Sequence, residues 1–143
     1  MPDPASSPAA PVISHGRAVW RGDRRFDAGP EGRTHLVDGD AKVAPGPVET
    51  VLDAIATCTA VDVLDILAKR RTPVEAMTID VIGHRRSEQP RRLMRVELEY
   101  RIRGAGIERE HAERAIKLAL EKYCSVAASL APDIGIETRL VLE

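Results

Sequence analysis

The sequence predicts an α+β fold in which mainly antiparallel strands surround one long central helix. Residues 47–71 begin with a proline, contain no further Gly or Pro, and are followed by Pro73, as expected for a single uninterrupted helix. Residues 94–103 instead alternate apolar with charged side chains, the pattern of a strand with one dry and one wet face. A long helix and a half-buried strand in one chain of 143 residues indicate a single domain with its own core.

The chain before the helix is predicted to hold a tail and three short strands. Residues 1–12 are rich in Pro, Ala and Ser and predict a disordered tail, so that the domain comprises residues 13–143. Weak strand patterns cover residues 13–21, 24–28 and 34–37. Gly22-Asp23 and the run AGPEG mark the turns between them, and a loop over residues 38–46 leads to the helix.

The central helix is apolar on almost every side, which predicts burial over most of its circumference. Its apolar residues are Val48, Val51, Leu52, Ile55, Val61, Val63, Leu64, Ile66 and Leu67. Four carboxylates interrupt it, so a membrane span is not expected. One thin sheet cannot cover so much apolar surface, and we therefore expect a homodimer in which two such helices pair.

After the helix the period changes to that of strands. Residues 77–82 alternate, and Met94, Val96, Leu98, Tyr100 and Ile102 are predicted to share the dry face of the next strand. Residues 107–123 have the pattern of an amphipathic helix, followed by a break near Cys124 and a short helix to Leu130. A last strand covers residues 136–142, which gives the order β-β-β-α-β-β-α-α-β.

Composition limits the function classes. The net charge of −1 and the aromatic content of 3% argue against nucleic-acid and membrane partners, although an arginine-rich hairpin around residues 84–92 leaves RNA binding as a minor alternative. The four histidines and two cysteines show no metal-binding spacing, so neither a metal nor a cofactor is expected. No hydrophobic leader follows Met1, and we expect a cytoplasmic protein.

The two cysteines allow two interpretations. Free cysteine is among the most buried residue types, so Cys58 and Cys124 could both be plain core residues. Alternatively they form a reactive and a resolving thiol: a thiolate attacks a peroxide oxygen, becomes a sulfenic acid, and condenses with the second thiol to a disulfide.

The residues alone leave the order of attack open. Asp62 and Asp65 share the helix face of Cys58 and disfavour its thiolate, so Cys58 needs an arginine from elsewhere. The candidates are Arg21, Arg24 and Arg25 in the run RGDRR. Cys124, in contrast, is predicted at a helix N-terminus, where the helix dipole favours an anion.

Three stretches resemble the OsmC/Ohr family. APGPVETVLDAIATCTAVDVLDILAKRR resembles its central helix, EKYCSVAASL its second-cysteine segment, and HRRSEQPRRLMRVELEYRIRG its strand region, most like the YhfA-like branch. The resemblance covers about residues 13–142. It implies an OsmC-like fold and an intertwined homodimer with its sites at the subunit interface. It also implies thiol-dependent reduction of organic hydroperoxides, with Cys58 as the peroxidatic and Cys124 as the resolving cysteine.

The resemblance further implies a Glu at the helix start and an Arg from the early strands. Val48 stands where the family has its Glu, so Glu49 is the candidate, although nine residues place it half a turn from Cys58. It can therefore serve only through an irregular first turn or at the partner's site. The family's Gly-Gly-Arg motif is absent, and Arg24 or Arg25 is expected in its place.

The expected partners are a second copy of the chain, an organic hydroperoxide, and a thiol reductant such as a lipoyl protein or a small thiol. The displaced Glu and the missing arginine motif favour one alternative function: a non-catalytic dimer of the same fold that binds a small apolar ligand in the interfacial cleft.

Overall fold

A computed structural model describes residues 9–143 of the chain. Most of the tail predicted over residues 1–12 thus lies outside the described residues, and residues 9–12 are exposed and irregular. The chain divides into two compact units, Met1–Pro47 and Val48–Glu143. That residues 13–143 form one domain stays a prediction.

The first unit contains an antiparallel sheet in the order β1-β2-β3. Its strands are β1 (Ala18–Trp20), β2 (Arg25–Ala28) and β3 (His35–Asp38), so all three predicted strands are confirmed and the first is shorter than expected. After β3, the Asp38 carboxylate accepts hydrogen bonds from the backbone N–H groups of Asp40, Lys42 and Val43 at 3.0–3.1 Å. These bonds satisfy three backbone N–H groups of the loop that leads to the helix.

The central helix α1 comprises Pro47–Lys69, with the predicted proline as its first residue. Its C-terminus is closed by two backbone bonds, from Arg71 N–H to the Ala68 carbonyl and from Thr72 N–H to the Leu67 carbonyl. This is the Schellman arrangement, and Arg71 occupies its left-handed position with φ +64°. Among the described residues, no helix is long and apolar enough to cross a membrane.

The second unit adds one sheet and the remaining helices. Its elements after α1 are β4 (Ala76–Arg85), β5 (Leu93–Arg103), α2 (Arg109–Leu118), a π-helical turn (Ala119–Tyr123), α3 (Ser125–Ala128) and β6 (Gly135–Leu142). The sheet order is β4-β5-β6. The predicted element order is confirmed, and β4 pairs antiparallel with β5. β6, however, runs parallel to β5, which the intervening helices make possible because parallel strands need a long crossover.

The core of this unit lies between one face of the sheet and the helices α1 and α2. Val96, Leu98, Tyr100 and Ile102 of β5 are buried there, as the alternation predicted. Met94 was predicted to join them but is 44% exposed, and Leu93 is buried instead. The cause is an irregularity in the pairing with β4, which shifts the register of β5 before Arg95. The side chain of Leu93, and not that of Met94, therefore faces the core.

The prediction that α1 is buried over most of its circumference is wrong for the single chain. Only one stripe at intervals of four residues is buried, consisting of Ile55, Thr59, Val63 and Leu67. Val51, Val61 and Leu64 are exposed. The reason is geometric, since one sheet covers one side of a helix.

Candidate dithiol site

The fold brings the two cysteine side chains together although about 66 residues separate them in sequence. Cys58 lies half-buried in the middle of α1, and Cys124 is 2% exposed at the residue that precedes α3. The Cys58 side chain lies close enough to the Cys124 thiol to raise its pKa. Two neighbouring thiols can form a disulfide on oxidation.

A π-helical turn places Cys124 next to Cys58. The N–H of Cys124 donates to the carbonyl of Ala119, five residues earlier, at 2.7 Å. In a regular α-helix Tyr123 would follow Ala119 on the buried stripe of α2, since residues four apart share a face. The wider turn instead places Cys124 after Ala119 on the buried side, while Tyr123 is 50% exposed.

Cys124 is held as a buried, protonated thiol. Burial raises the pKa of Cys124, and the backbone N–H of Ala127, which donates to its Sγ at 3.3 Å, opposes this. The neighbouring Cys58 side chain raises the pKa of Cys124 further. The predicted short helix after Cys124 is confirmed, but its N-terminus does not outweigh burial. Burial and the neighbouring Cys58 side chain therefore favour the protonated form of Cys124.

Cys58 lies on a side of α1 that carries both apolar and acidic residues. Ala54 and Val61 are its neighbours at i−4 and i+3, and Val61 is 56% exposed. Asp62 at i+4 is half-buried and Asp65 at i+7 is exposed. A ligand that reaches this thiol thus meets an apolar surface bordered by carboxylates.

The predicted carboxylate lies on a different side of α1. Glu49 is in the first turn, and α1 is α-helical from Pro47 onward. The irregular first turn that the sequence left possible is therefore not present. Glu49 lies half a turn from Cys58 and about 13 Å from it along the axis of a regular helix. That Glu49 contributes to the thiol site of a partner subunit stays a prediction.

The predicted arginines belong to the first unit. Arg24 Nε contacts Asp40 Oδ1 at 2.8 Å, and Arg25 pairs with Asp38 in the β2–β3 register. Arg21 forms an ion pair with Asp27. Each predicted arginine thus faces a carboxylate of its own unit, and the contribution of Arg24 or Arg25 to the thiols stays a prediction.

A buried hydroxyl pair next to the thiols was missed by the sequence analysis. The hydroxyl of Tyr100 on β5 donates to Oγ1 of Thr59 on α1 at 3.0 Å, and both residues are 0% exposed. Burial raises the pKa of Tyr100, the Thr59 contact opposes this, and the neighbouring Cys124 raises it further. The Tyr100 hydroxyl therefore lies within electrostatic range of the Cys124 sulfur.

The signal for this pair was available in the sequence. Thr59 is the one polar residue in the buried stripe of α1, and Tyr100 is the one residue with a hydroxyl on the dry face of β5. Two polar groups on two facing apolar surfaces must satisfy each other, because burial of an unpaired hydroxyl is unfavourable. In the part of the chain that the structure describes, no three His, Cys, Asp or Glu residues are grouped to hold a metal.

The fold and the site define an α+β protein with a paired dithiol between its central helix and the N-terminus of α3. The family model for OsmC-like proteins matches residues 38–139, and the chain belongs to this family. It is 37% identical over 106 residues to the protein YhfA of Escherichia coli K12, which covers 73% of this chain and 79% of YhfA. The resemblance predicted from the sequence is confirmed.

Solved structures of several other proteins have the same fold. A hypothetical protein from Aquifex aeolicus VF5 superposes with a TM-score of 0.83 at 26% identity, over 92% of this chain and 97% of that one. An OsmC-like protein from Mycoplasma pneumoniae gives 0.79 at 15% identity over 92% and 97%. The organic hydroperoxide resistance protein OhrB of Bacillus subtilis gives 0.63 at 11% identity over 91% and 100%. The last two comparisons show the shared fold.

Proposed function

We propose that this protein is a thiol-dependent peroxidase that reduces organic hydroperoxides, with Cys58 as the peroxidatic and Cys124 as the resolving cysteine. The observation that carries the proposal is the proximity of the two side chains across about 66 residues of sequence. Membership of the OsmC-like family and the likeness of fold to an organic hydroperoxide resistance protein support it.

The chemistry takes two steps on the protein. The Cys58 thiolate attacks one peroxide oxygen of ROOH, the O–O bond breaks, and the alkoxide leaves and takes a proton to become ROH, which leaves a sulfenic acid on Cys58. The Cys124 sulfur then attacks the Cys58 sulfur, and hydroxide leaves and takes the Cys124 proton to form water. A dithiol reductant, such as a lipoyl protein, or two small thiols reduce the disulfide.

The order of the two thiols follows from their burial. Cys124 is 2% exposed and its pKa is raised, whereas Cys58 is the more accessible of the two. The attacking thiol must be accessible to the peroxide, which supports Cys58 for the first step. Its neighbours Ala54 and Val61 offer apolar contacts, which favours an alkyl or aryl hydroperoxide over hydrogen peroxide.

The proposal includes a homodimer. The exposed Val51, Val61 and Leu64 on α1 are apolar side chains that a second copy would bury. In such a dimer Glu49 and Arg24 or Arg25 of one chain serve the thiols of the other. Two free thiols that must be reduced in each cycle fit a reducing compartment, so we propose the cytoplasm as the location.

The test is a thiol titration after reduced protein is mixed with a slight excess of cumene hydroperoxide. We expect both thiols to disappear and an intramolecular Cys58–Cys124 disulfide to appear. The Cys124→Ser variant should stop at a sulfenic acid on Cys58, and Cys58→Ser should lose no thiol. Unchanged thiols over hours in the wild-type protein would exclude the peroxidase. Binding of a fatty acyl chain by both wild type and Cys58→Ser, without turnover, would then support the non-catalytic alternative.

A further inference from the structure

The hydroxyl of Tyr100 does more than fill space in the core. Among residues 9–143, Tyr100 is the largest fully buried side chain, and its surroundings are aliphatic residues that a phenylalanine ring would pack against equally well. What the hydroxyl adds is the bond to Thr59 Oγ1, which links β5 to α1. Thr59 is the residue next to Cys58, so this link between β5 and α1 lies beside the thiol.

We propose that the Tyr100–Thr59 hydrogen bond is the positioning contact that sets the rotation of α1, so that the Cys58 thiol faces Cys124. This inference rests on the thiol pair of the proposed function. It does not depend on which oxidant the pair meets. Thr59 and Tyr100 act through Cys58, and neither needs to touch the substrate.

The hydroxyls form a chain with a defined direction. Tyr100 donates to Thr59, and Thr59 donates to the backbone carbonyl of Ala56 at 3.1 Å. No buried side-chain nitrogen or oxygen among the described residues lacks a partner. The Tyr100→Phe variant removes the first donor while Thr59 keeps its bond to Ala56, so this variant leaves no buried polar group unsatisfied.

Small rotations of α1 are large on the scale of a disulfide bond. A sulfur about 4–5 Å from a helix axis moves roughly 1 Å when the helix turns by about 15°. Disulfide geometry is specific in bond length and dihedral angle, and departure from it stores strain that makes the bond more reducible. Loss of one of several contacts that hold α1 should therefore shift the equilibrium toward the dithiol by about 3- to 10-fold.

The experiment measures the equilibrium between protein dithiol and disulfide in glutathione buffers. One molecule of oxidised glutathione takes two electrons from the protein. Cys58 displaces one glutathione thiolate and Cys124 displaces the second, and each displaced thiolate takes up one of the two protons of the protein thiols. A substitution that weakens the reduced and oxidised folded states equally leaves this equilibrium unchanged. The ratio therefore reports positioning and not general stability.

We expect Tyr100→Phe and Thr59→Val to lower the oxidised-to-reduced ratio by about 3- to 10-fold at fixed glutathione, and Thr59→Ser to stay at the wild-type ratio because its hydroxyl remains. The matched control is Thr72→Val. It removes a hydroxyl bonded to the Leu67 carbonyl near the C-terminus of the same helix, far from the thiols, and should leave the ratio unchanged.

The outcomes separate this inference from the proposed function. A wild-type ratio in Tyr100→Phe, with or without a lower melting temperature, overturns the positioning role and leaves the peroxidase standing. A disulfide that forms with glutathione but not with cumene hydroperoxide removes the peroxidase and leaves the positioning role. A wild-type protein that forms no Cys58–Cys124 disulfide in excess oxidised glutathione overturns both.

Discussion

Oxidation of the thiol pair should stabilise the fold by several kcal/mol. A disulfide between Cys58 and Cys124 closes a loop of about 66 residues. The chain-entropy relation assigns about 4 kcal/mol at 25 °C to a loop of this length, because the crosslink restricts the unfolded chain. This figure holds only if the bond forms without distortion of the native structure.

One local interaction reduces the expected gain. In the reduced protein Cys124 Sγ accepts the N–H of Ala127 and thereby caps α3. Loss of such a cap costs about 1 kcal/mol. The net stabilisation on oxidation should thus be about 3–4 kcal/mol.

Urea unfolding of reduced and oxidised protein measures this difference directly. The slope of the transition should fall in the oxidised form, since a crosslinked unfolded chain exposes less surface. Cys124→Ser taken through the same treatments should show no change. A gain below about 1 kcal/mol, or a loss, would mean that the sulfurs reach bonding geometry only by straining α1 or α3, and the reasoning from their contact would fail.

Three further predictions concern the elements around the site. Arg71→Gly should raise the free energy of unfolding by about 0.5–1 kcal/mol in a denaturant titration, because glycine adopts the left-handed position at the end of α1 without strain. Deletion of Glu121 should convert the π-helical turn to α-helix, and Cys124 should stay buried and resist alkylation. Deletion of Glu113 within α2 should instead rotate the buried stripe away from the core, so that circular dichroism shows an unfolded protein. Backbone hydrogen bonds lower the pKa of Asp38, so the Asp38 carboxylate stabilises the fold above pH 4 and this stabilisation is lost as the pH falls below that value. Asp38→Asn should speed amide hydrogen exchange in the following loop at pH 7 and should make the free energy of unfolding depend less on pH in acid.

The element order could be predicted because each element has a long and regular pattern. The proline at the start of α1, the alternation in β5 and the alanine-rich stripe of α2 each repeat a signal several times. Averaging over many residues makes such signals robust to one exception. The buried face of β5 beyond Val96 was predicted for the same reason.

What the sequence could not predict are irregularities of a single residue. The shift of register near Met94 and the π-helical turn before Cys124 each change which side chain enters the core. Neither has a composition signal, because each is stabilised by tertiary packing and not by local preference. Burial of α1 was misjudged for a related reason, since a sequence shows how much apolar surface a helix has and not how much of it one chain can cover.

The π-helical turn also bears on the order of attack that the sequence left open. From the chain alone either cysteine could attack first, and a helix N-terminus favoured Cys124. The π-helical turn places Cys124 on the buried side instead, where loss of hydration opposes its thiolate more than the Ala127 N–H assists it. Cys58, in contrast, is half-buried and keeps access to solvent. A buried, protonated Cys124 suits the second step of a disulfide cycle, because it is protected from oxidants until its neighbour has reacted.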